Sequence, residues 1–186
     1  MRARLVESFR LSEVVDEALA LTRGRVEGYA KATVLVERSR AREIFVETDR
    51  ALLLVVLINV LVNAAQAKQE AREPPRNRQG QLIRPPRPAP ADGDKIKILV
   101  DSEPEDETVV LLLANTGPQV APEHRERIFT RGFTTRLHGH GQGLYLCRQI
   151  MAYLGGSIAY SDPFGRNIEA NTAFRLEFSR RRQIQA

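Results

Sequence analysis

The sequence RGFTTRLHGHGQGLYLCRQIMAYLGGS, from Arg131 to Ser157, contains a glycine-rich loop that leads directly into a helix. Glycines alternate along the loop, and apolar residues then recur at the spacing of an amphipathic helix, at Leu144, Cys147, Ile150, Met151 and Leu154. The N-terminus of a helix attracts phosphate, and glycine lets backbone N–H groups approach phosphate oxygens closely. The stretch therefore predicts either a phosphate-binding loop or an ordinary glycine-rich turn.

A second signal lies upstream, in a long helix predicted from Arg50 to about Arg72, with Thr48 or Asp49 as its N-cap. Within it, Asn59 and Asn63 are four residues apart and therefore share one face. An amide is costly to bury without a partner. The partners are either loop backbone groups or a hard cation such as Mg²⁺, which binds amide oxygens.

The longest apolar run, Ala51 to Ala65, is interrupted by the same two asparagines. We expect it to be too short and too polar to span a bilayer. Met1 opens no signal-peptide pattern. The single cysteine, Cys147, excludes an internal disulfide and suits a reducing compartment. These features predict a cytoplasmic chain that makes no membrane contact itself.

Composition favours one domain over residues 1–186, since 42% of the residues are hydrophobic. The formal net charge is +5, but acidic residues interleave with the basic ones. A nucleic-acid binder ranks last among the function classes, because no platform of aromatic and basic residues is visible. Residues 73–94 hold six of the ten prolines and predict a flexible insertion, with a bare linker favoured over a polyproline ligand for a partner domain.

Hydrophobic periodicity predicts the remaining elements. Helices are expected over Phe9–Ala30 and Glu123–Phe129. Strands are expected over Ala32–Arg38, Glu43–Glu47, Lys95–Val100, Thr108–Ala114, Ser157–Ser161 and Thr172–Phe178. Strands that are mostly linked as hairpins, with helices on one face, predict an α+β fold in two layers.

Four blocks stand in a fixed order: NVLVNAAQA at 59–67, NTGPQV at 115–120, RIFTRGFTTR at 127–136 and GHGQGLYL at 139–146. Together they resemble the N, G1, F and G2 boxes of the ATP-binding domain of bacterial sensor histidine kinases, which belong to the GHKL superfamily. The similarity runs from about Phe9 to Phe178. It implies a Bergerat-type two-layer α/β sandwich, with a mixed, mostly antiparallel sheet, and an ATP site between the long helix and a flexible lid.

The resemblance also implies roles for individual residues. Asn63 matches the asparagine that ligates Mg²⁺. Asn59 occupies the position of the glutamate base in relatives that hydrolyse ATP, so storage of ATP for transfer to a histidine is implied. Arg136 matches a lid cation near the phosphates. The other implied ATP contacts are Asn115, Gly117, Phe129, Thr134, Thr135, Gly139, Gly141, Gly143 and Leu144.

Three departures from the family pattern concern nucleotide affinity. The first G1 residue, usually an aspartate that accepts a hydrogen bond from the adenine amino group, is Asn115 here, which puts about 1 kcal/mol at risk. Gln119 replaces the second G1 glycine and is expected to narrow the mouth of the pocket. Gln66 and Ala67 stand where many of these kinases carry a basic residue, with Lys68 one position late.

None of the three histidines, His124, His138 and His140, lies in a helix before the ATP domain, where the family keeps its phosphoacceptor. The resemblance therefore implies a catalytic domain, monomeric in isolation, that phosphorylates a histidine on a dimerisation domain outside this chain and acts upstream of a response regulator. The alternative is a degenerate domain that binds ATP weakly and acts by docking. A Ser/Thr anti-sigma-type kinase ranks below both, because FTTR followed closely by GHGQGL is more similar to the histidine kinases.

Overall fold

A computed structural model describes residues 6–30, 33–36, 43–72, 79–82, 95–102, 106–136, 139–161 and 170–180. Its helices are α1 (Leu11–Ala30), α2 (Arg50–Arg72) and α3 (Gly143–Tyr153). Its strands are β1 (Glu7–Arg10), β2 (Thr33–Val36), β3 (Phe45–Thr48), β4 (Lys95–Val100), β5 (Thr108–Asn115), β6 (Ser157–Ser161) and β7 (Thr172–Ser179).

Five strands form one sheet in the order β2-β4-β5-β7-β6. The β2–β4 pair is parallel, and the other three pairs are antiparallel. Helix α2 packs against α1, α3, β4 and β5, and α3 also contacts β6. This arrangement confirms the predicted α+β sandwich with a mixed, mostly antiparallel sheet.

Helix α2 is the central element of the core. Apolar side chains recur along it at helical spacing and are fully buried, at Leu53, Val56, Leu57, Val60 and Leu61. Burial of each such side chain stabilises the fold by about 1.5–3 kcal/mol. The Oδ1 of Asp49 accepts a hydrogen bond from the Leu52 N–H at 3.1 Å, which confirms Asp49 as the N-cap.

The expectation that this apolar run is too short and too polar for a membrane does not hold for α2 as it forms. Residues Arg50–Ala67 are long and apolar enough to span a membrane by length and composition. The packing of α2 nevertheless favours a core helix over a membrane span, because its buried side chains pack against other helices and the sheet. That is the environment of a core helix.

The predicted first helix is too long at its N-terminus. Phe9 and Arg10 belong to β1, which pairs antiparallel with β3 in a separate two-stranded sheet. The Leu11 N–H donates to the Ile44 carbonyl at 2.9 Å, so sheet pairing continues until the helix begins. The Phe9 side chain is only 5% exposed and belongs to the hydrophobic core.

A second predicted helix also differs from the structure. The short helix expected over Glu123–Phe129 forms as two single-turn 3-10 helices, Pro122–His124 and Arg127–Phe129. Proline at the first position cannot donate an N–H and suits such a start. The proline-rich insertion lies outside the described residues except for 79–82, so its flexibility stays a prediction.

Candidate functional site

One half-buried face of α2 carries a row of amide side chains, Asn59, Asn63 and Gln66. Asn59 Nδ2 donates to the Val55 carbonyl one turn earlier, at 2.8 Å. Its Oδ1 lies toward the start of α3, since a Cβ added to Gly143 would be 3.3 Å from that oxygen. The first glycine of α3 therefore allows this helix end to approach α2.

The lid segment, residues 130–136, is joined to the same face of α2 through Arg136. One terminal nitrogen of the Arg136 guanidinium donates to Gln66 Oε1 at 2.6 Å. The other donates to the Asn63 carbonyl oxygen at 3.0 Å and to Asn63 Oδ1 at 2.7 Å. The Arg136 N–H also donates to Thr134 Oγ1 at 3.0 Å, while Thr135 is exposed. A cation is thus fixed beside the oxygen to which the family resemblance gives a metal-binding role.

The glycine loop, residues 139–143, packs tightly against this lid segment. Gly132 N–H donates to the Gly141 carbonyl at 3.0 Å. Gly141 has φ +63°, and a Cβ there would lie 2.4 Å from the carbonyl carbon of Gly132. A Cβ on Gly139 would lie 2.4 Å from Thr134 Oγ1. Side chains at these two positions would push the loop and the lid apart.

The glycine loop ends at the N-terminus of α3. The Leu146 N–H donates to the Gln142 carbonyl at 2.8 Å, and Gln142 makes no side-chain cap. The N–H groups before Leu146 have no partner within the helix and carry the positive end of its dipole. Half-buried Leu144 packs against the core and fixes this helix end. The arrangement fits the binding of an anion such as phosphate.

A second group of residues follows β5. Asn115 is 2% exposed, and its Oδ1 accepts a hydrogen bond from the Gly117 N–H at 2.8 Å. The Thr116 carbonyl accepts from Asn171 Nδ2 at 3.1 Å, and the Thr172 hydroxyl donates to the Pro118 carbonyl at 2.8 Å. These bonds tie the turn to β7, so Asn115 is held rigidly.

The lid segment also packs through an aromatic side chain, Phe133. Phe133 lies between the His124 ring, 5.2 Å away between centroids, and the Arg127 guanidinium, 4.8 Å from its centroid. Phe129, which the resemblance assigned to ATP, is 3% exposed and packs edge-to-face on Phe174 at 6.3 Å. In this structure the Phe129 ring is part of the core beneath the lid.

No group of three His, Cys, Asp or Glu side chains suited to a metal occurs in the described part of the chain. A magnesium ion here would rest on one amide oxygen, Asn63 Oδ1, together with phosphates and water, a donor set that magnesium accepts. Cys147 offers no nucleophile, because burial raises its pKa to about 12 and keeps the thiol protonated.

The family resemblance assigns the asparagine pair, the lid arginine and the glycines to one ATP site. The structure brings Arg136 into contact with Asn63 and places Gly143 beside Asn59. The sequence alone predicted no role for Gln66, Asn171 or Thr172. For Gln66 a signal existed, because position 66 follows Asn59 by seven residues and Asn63 by three, on the same helix face. For Asn171 and Thr172 the sequence carries no comparable local signal.

Comparisons with known proteins bear on the family and the fold of the chain. The sequence model of the histidine kinase-, DNA gyrase B- and HSP90-like ATPase family matches residues 48–182, well over half of the chain. Sensor protein SrrB of Staphylococcus aureus is 36% identical over 81 residues, which cover 40% of this chain and 13% of SrrB. The chain thus matches only a small part of such a sensor protein.

Two solved structures of histidine kinase ThkA are similar over most of the chain. The nucleotide-free catalytic domain of ThkA is 25% identical, covers 95% of this chain and 96% of that one, and has a TM-score of 0.68. ThkA in complex with the response regulator protein TrrA is 26% identical, covers 94% of this chain and 42% of that one, and has a TM-score of 0.63. The chain therefore belongs to the histidine kinase-, DNA gyrase B- and HSP90-like ATPase family, as a catalytic domain of the kind found in two-component sensor histidine kinases.

Proposed function

We propose that this domain binds ATP with Mg²⁺ and delivers the γ-phosphoryl group to a histidine on a dimerisation domain outside this chain. One observation supports it above the others. Arg136 of the lid contacts Asn63 on α2, and the glycine loop beside it leads into a helix N-terminus without a side-chain cap. A cation, an amide oxygen and free N–H groups together suit a magnesium–triphosphate.

Each element of the site has a distinct part in this proposal. Asn63 Oδ1 ligates the metal, and the α3 N-terminus with Gly139, Gly141 and Gly143 binds phosphate oxygens. Asn115 and Gly117 contact the base. Magnesium, when bound, would neutralise phosphate charge during transfer of the γ-phosphoryl group from ATP to an imidazole nitrogen, with ADP as the leaving group.

Hydrolysis of ATP by the domain alone is expected to be slow. Asn59 is an amide, which cannot accept a proton from water, and its Nδ2 is already bonded to the Val55 carbonyl. The domain therefore holds ATP until a phosphoacceptor docks.

The partners proposed are a histidine-containing dimerisation domain, in the same full-length protein or another, and a response regulator. Support for the second comes from ThkA, which has been solved in complex with the response regulator TrrA. We further propose that the domain works in the cytoplasm, alone or as part of a membrane-bound sensor, and that it is monomeric in isolation.

Calorimetric titration of ATP, with Mg²⁺ and with EDTA, tests the proposal. We expect a Kd between about 1 µM and 1 mM that tightens with Mg²⁺. Label from γ-³²P-ATP should then appear, acid-labile and base-stable, on a histidine-containing dimerisation domain and not on its His→Gln variant. A domain that melts cooperatively yet binds no ATP at millimolar concentration would contradict the proposal.

One observation favours the second candidate, a kinase-like docking domain with weak ATP affinity. Asn115 Oδ1 already accepts the Gly117 N–H, and the other polar atom of the amide, Nδ2, can only donate. Adenine offers an amino group at position 6, which needs an acceptor. An amide therefore leaves only an already bonded oxygen for the adenine amino group, where an aspartate would offer a second, charged oxygen.

Asn115→Asp should therefore tighten ATP binding about fivefold to tenfold. One carboxylate oxygen keeps the Gly117 N–H bond, and the other becomes a charged acceptor for the adenine amino group. Titrations with ATP and with ITP, which carries a carbonyl at position 6, measure the effect. ITP binding should not improve. The matched control is Gln119→Glu, which adds the same charge at an exposed position nearby. Equal tightening of ATP and ITP would contradict the assignment of Asn115 to the base.

A further inference from the structure

Gln66 contacts the same lid arginine as Asn63, one turn later on α2. Two terminal nitrogens of the Arg136 guanidinium are engaged, one by Gln66 Oε1 and the other by two oxygens of Asn63. The guanidinium is a rigid planar fork of donors. Acceptors on both of its prongs, all on one helix face, fix its position and its plane.

We propose that Gln66 is a positioning residue, which docks the lid on α2 through Arg136 before any nucleotide binds. Its effect on nucleotide affinity rests on the proposed function, since the cation is useful there only if phosphates bind beside Asn63. The docking itself needs no ligand and is testable without one.

The choice of a neutral acceptor matters for the charge of the site. A carboxylate at position 66 would bind the guanidinium more strongly but would neutralise it. The amide oxygen of Gln66 holds Arg136 by a hydrogen bond and adds no negative charge of its own. Such a cation is fixed in place and still attracts a polyanion.

Gln66 also explains how the arginine and a metal can share Asn63. The guanidinium nitrogen lies 2.7 Å from Asn63 Oδ1, the oxygen proposed to ligate Mg²⁺, and two cations on one oxygen repel each other. That nitrogen must leave the oxygen when the metal binds. Gln66, which holds the other prong, keeps the guanidinium beside the site.

Trypsin cleavage of the nucleotide-free domain tests the docking. Trypsin must take the arginine side chain into its own pocket, so cleavage after Arg136 measures how often the guanidinium leaves α2. We expect Gln66→Ala to accelerate this cleavage about tenfold. Cleavage after Arg131, exposed in the same lid, should not change. The control Gln149→Ala, an exposed glutamine on α3, should leave both rates unchanged.

Calorimetry with ATP and Mg²⁺ tests the positioning role. Gln66→Ala should weaken binding about fivefold to tenfold, and it should have no further effect in an Arg136→Ala background. Gln66→Glu separates docking from charge. The carboxylate still holds Arg136, so cleavage after Arg136 should be no faster than in the wild type. It also neutralises the guanidinium, so ATP binding should weaken. A general loosening of α2 would not give these opposite results.

Each contrary result decides against the proposal. Equal cleavage after Arg136 in the wild type and Gln66→Ala would overturn the docking. Faster cleavage with unchanged or tighter ATP binding would overturn the positioning role and identify Arg136 as a competitor for Asn63. If the wild type binds no ATP, the proposed function fails, while the cleavage rates still decide whether Gln66 docks the lid.

Discussion

Replacing Asn63 by alanine should abolish the Mg²⁺ stimulation of ATP binding and weaken binding in Mg²⁺ about 100-fold. Asn63 Oδ1 is the only protein oxygen proposed to ligate the metal, and second-shell changes alone cost metal sites about 10–100-fold. The measurement is the ratio of the Kd for ATP in EDTA to that in Mg²⁺. We expect this ratio to fall to about 1 in the variant.

A second variant, with aspartate at position 63, distinguishes loss of the metal ligand from other effects of changing this side chain. Asn63→Asp keeps an oxygen at the same place, so it should retain a Mg²⁺-dependent ratio well above that of Asn63→Ala. Both variants should melt close to the wild type, because Asn63 is half-buried and lies outside the apolar core. Wild-type Mg²⁺ stimulation in Asn63→Ala would remove the metal role from this residue.

The elements that sequence predicts well are those set by local periodicity. The burial of α2 follows from its apolar spacing, and the shared face of Asn59 and Asn63 follows from a separation of four residues. The alternating glycines of the loop likewise predict a close approach of backbone segments, and Gly141 has the positive φ that such a loop needs.

Contacts between distant segments could not be predicted in the same way. Gln66 and Arg136 are 70 residues apart, and nothing in either local sequence indicates their hydrogen bond. Strand β1 was missed for a related reason, since four residues form a strand only because β3 pairs with them. The orientation of the Asn115 amide also depends on a turn geometry that its residue type does not dictate.

In the proposed function, these non-local contacts set how tightly the site binds ATP. The motifs place an amide, a cation and a glycine loop on separate segments. The guanidinium bonds and the packing of the loop on the lid hold those segments together before ligand binding, so less ordering entropy is lost when ATP binds. A change that separates the glycine loop from the lid should therefore lower affinity although every ligand-binding side chain remains.

Gly141→Ala makes that change and should weaken ATP binding at least about 50-fold. The new Cβ would lie 2.4 Å from the Gly132 carbonyl carbon and 2.6 Å from the Phe133 carbonyl oxygen. These are backbone atoms, so the lid must move as a whole, and a displacement of 1 Å in a positioned group can cost about 100-fold. Arg136 should then lose its contact with Asn63, and trypsin cleavage after Arg136 should accelerate.

Gly155→Ala is the matched control, because it imposes the same backbone strain without the clash. Gly155 has φ +77°, close to the +63° of Gly141, but no atom lies within 4 Å of its added Cβ. The strain of a left-handed residue costs each variant about 1–2 kcal/mol of folding free energy. Both melting temperatures should therefore fall, and more for Gly141→Ala, while only Gly141→Ala loses ATP affinity. Equal loss of affinity in both variants would show that general destabilisation, and not separation of the loop from the lid, controls nucleotide binding.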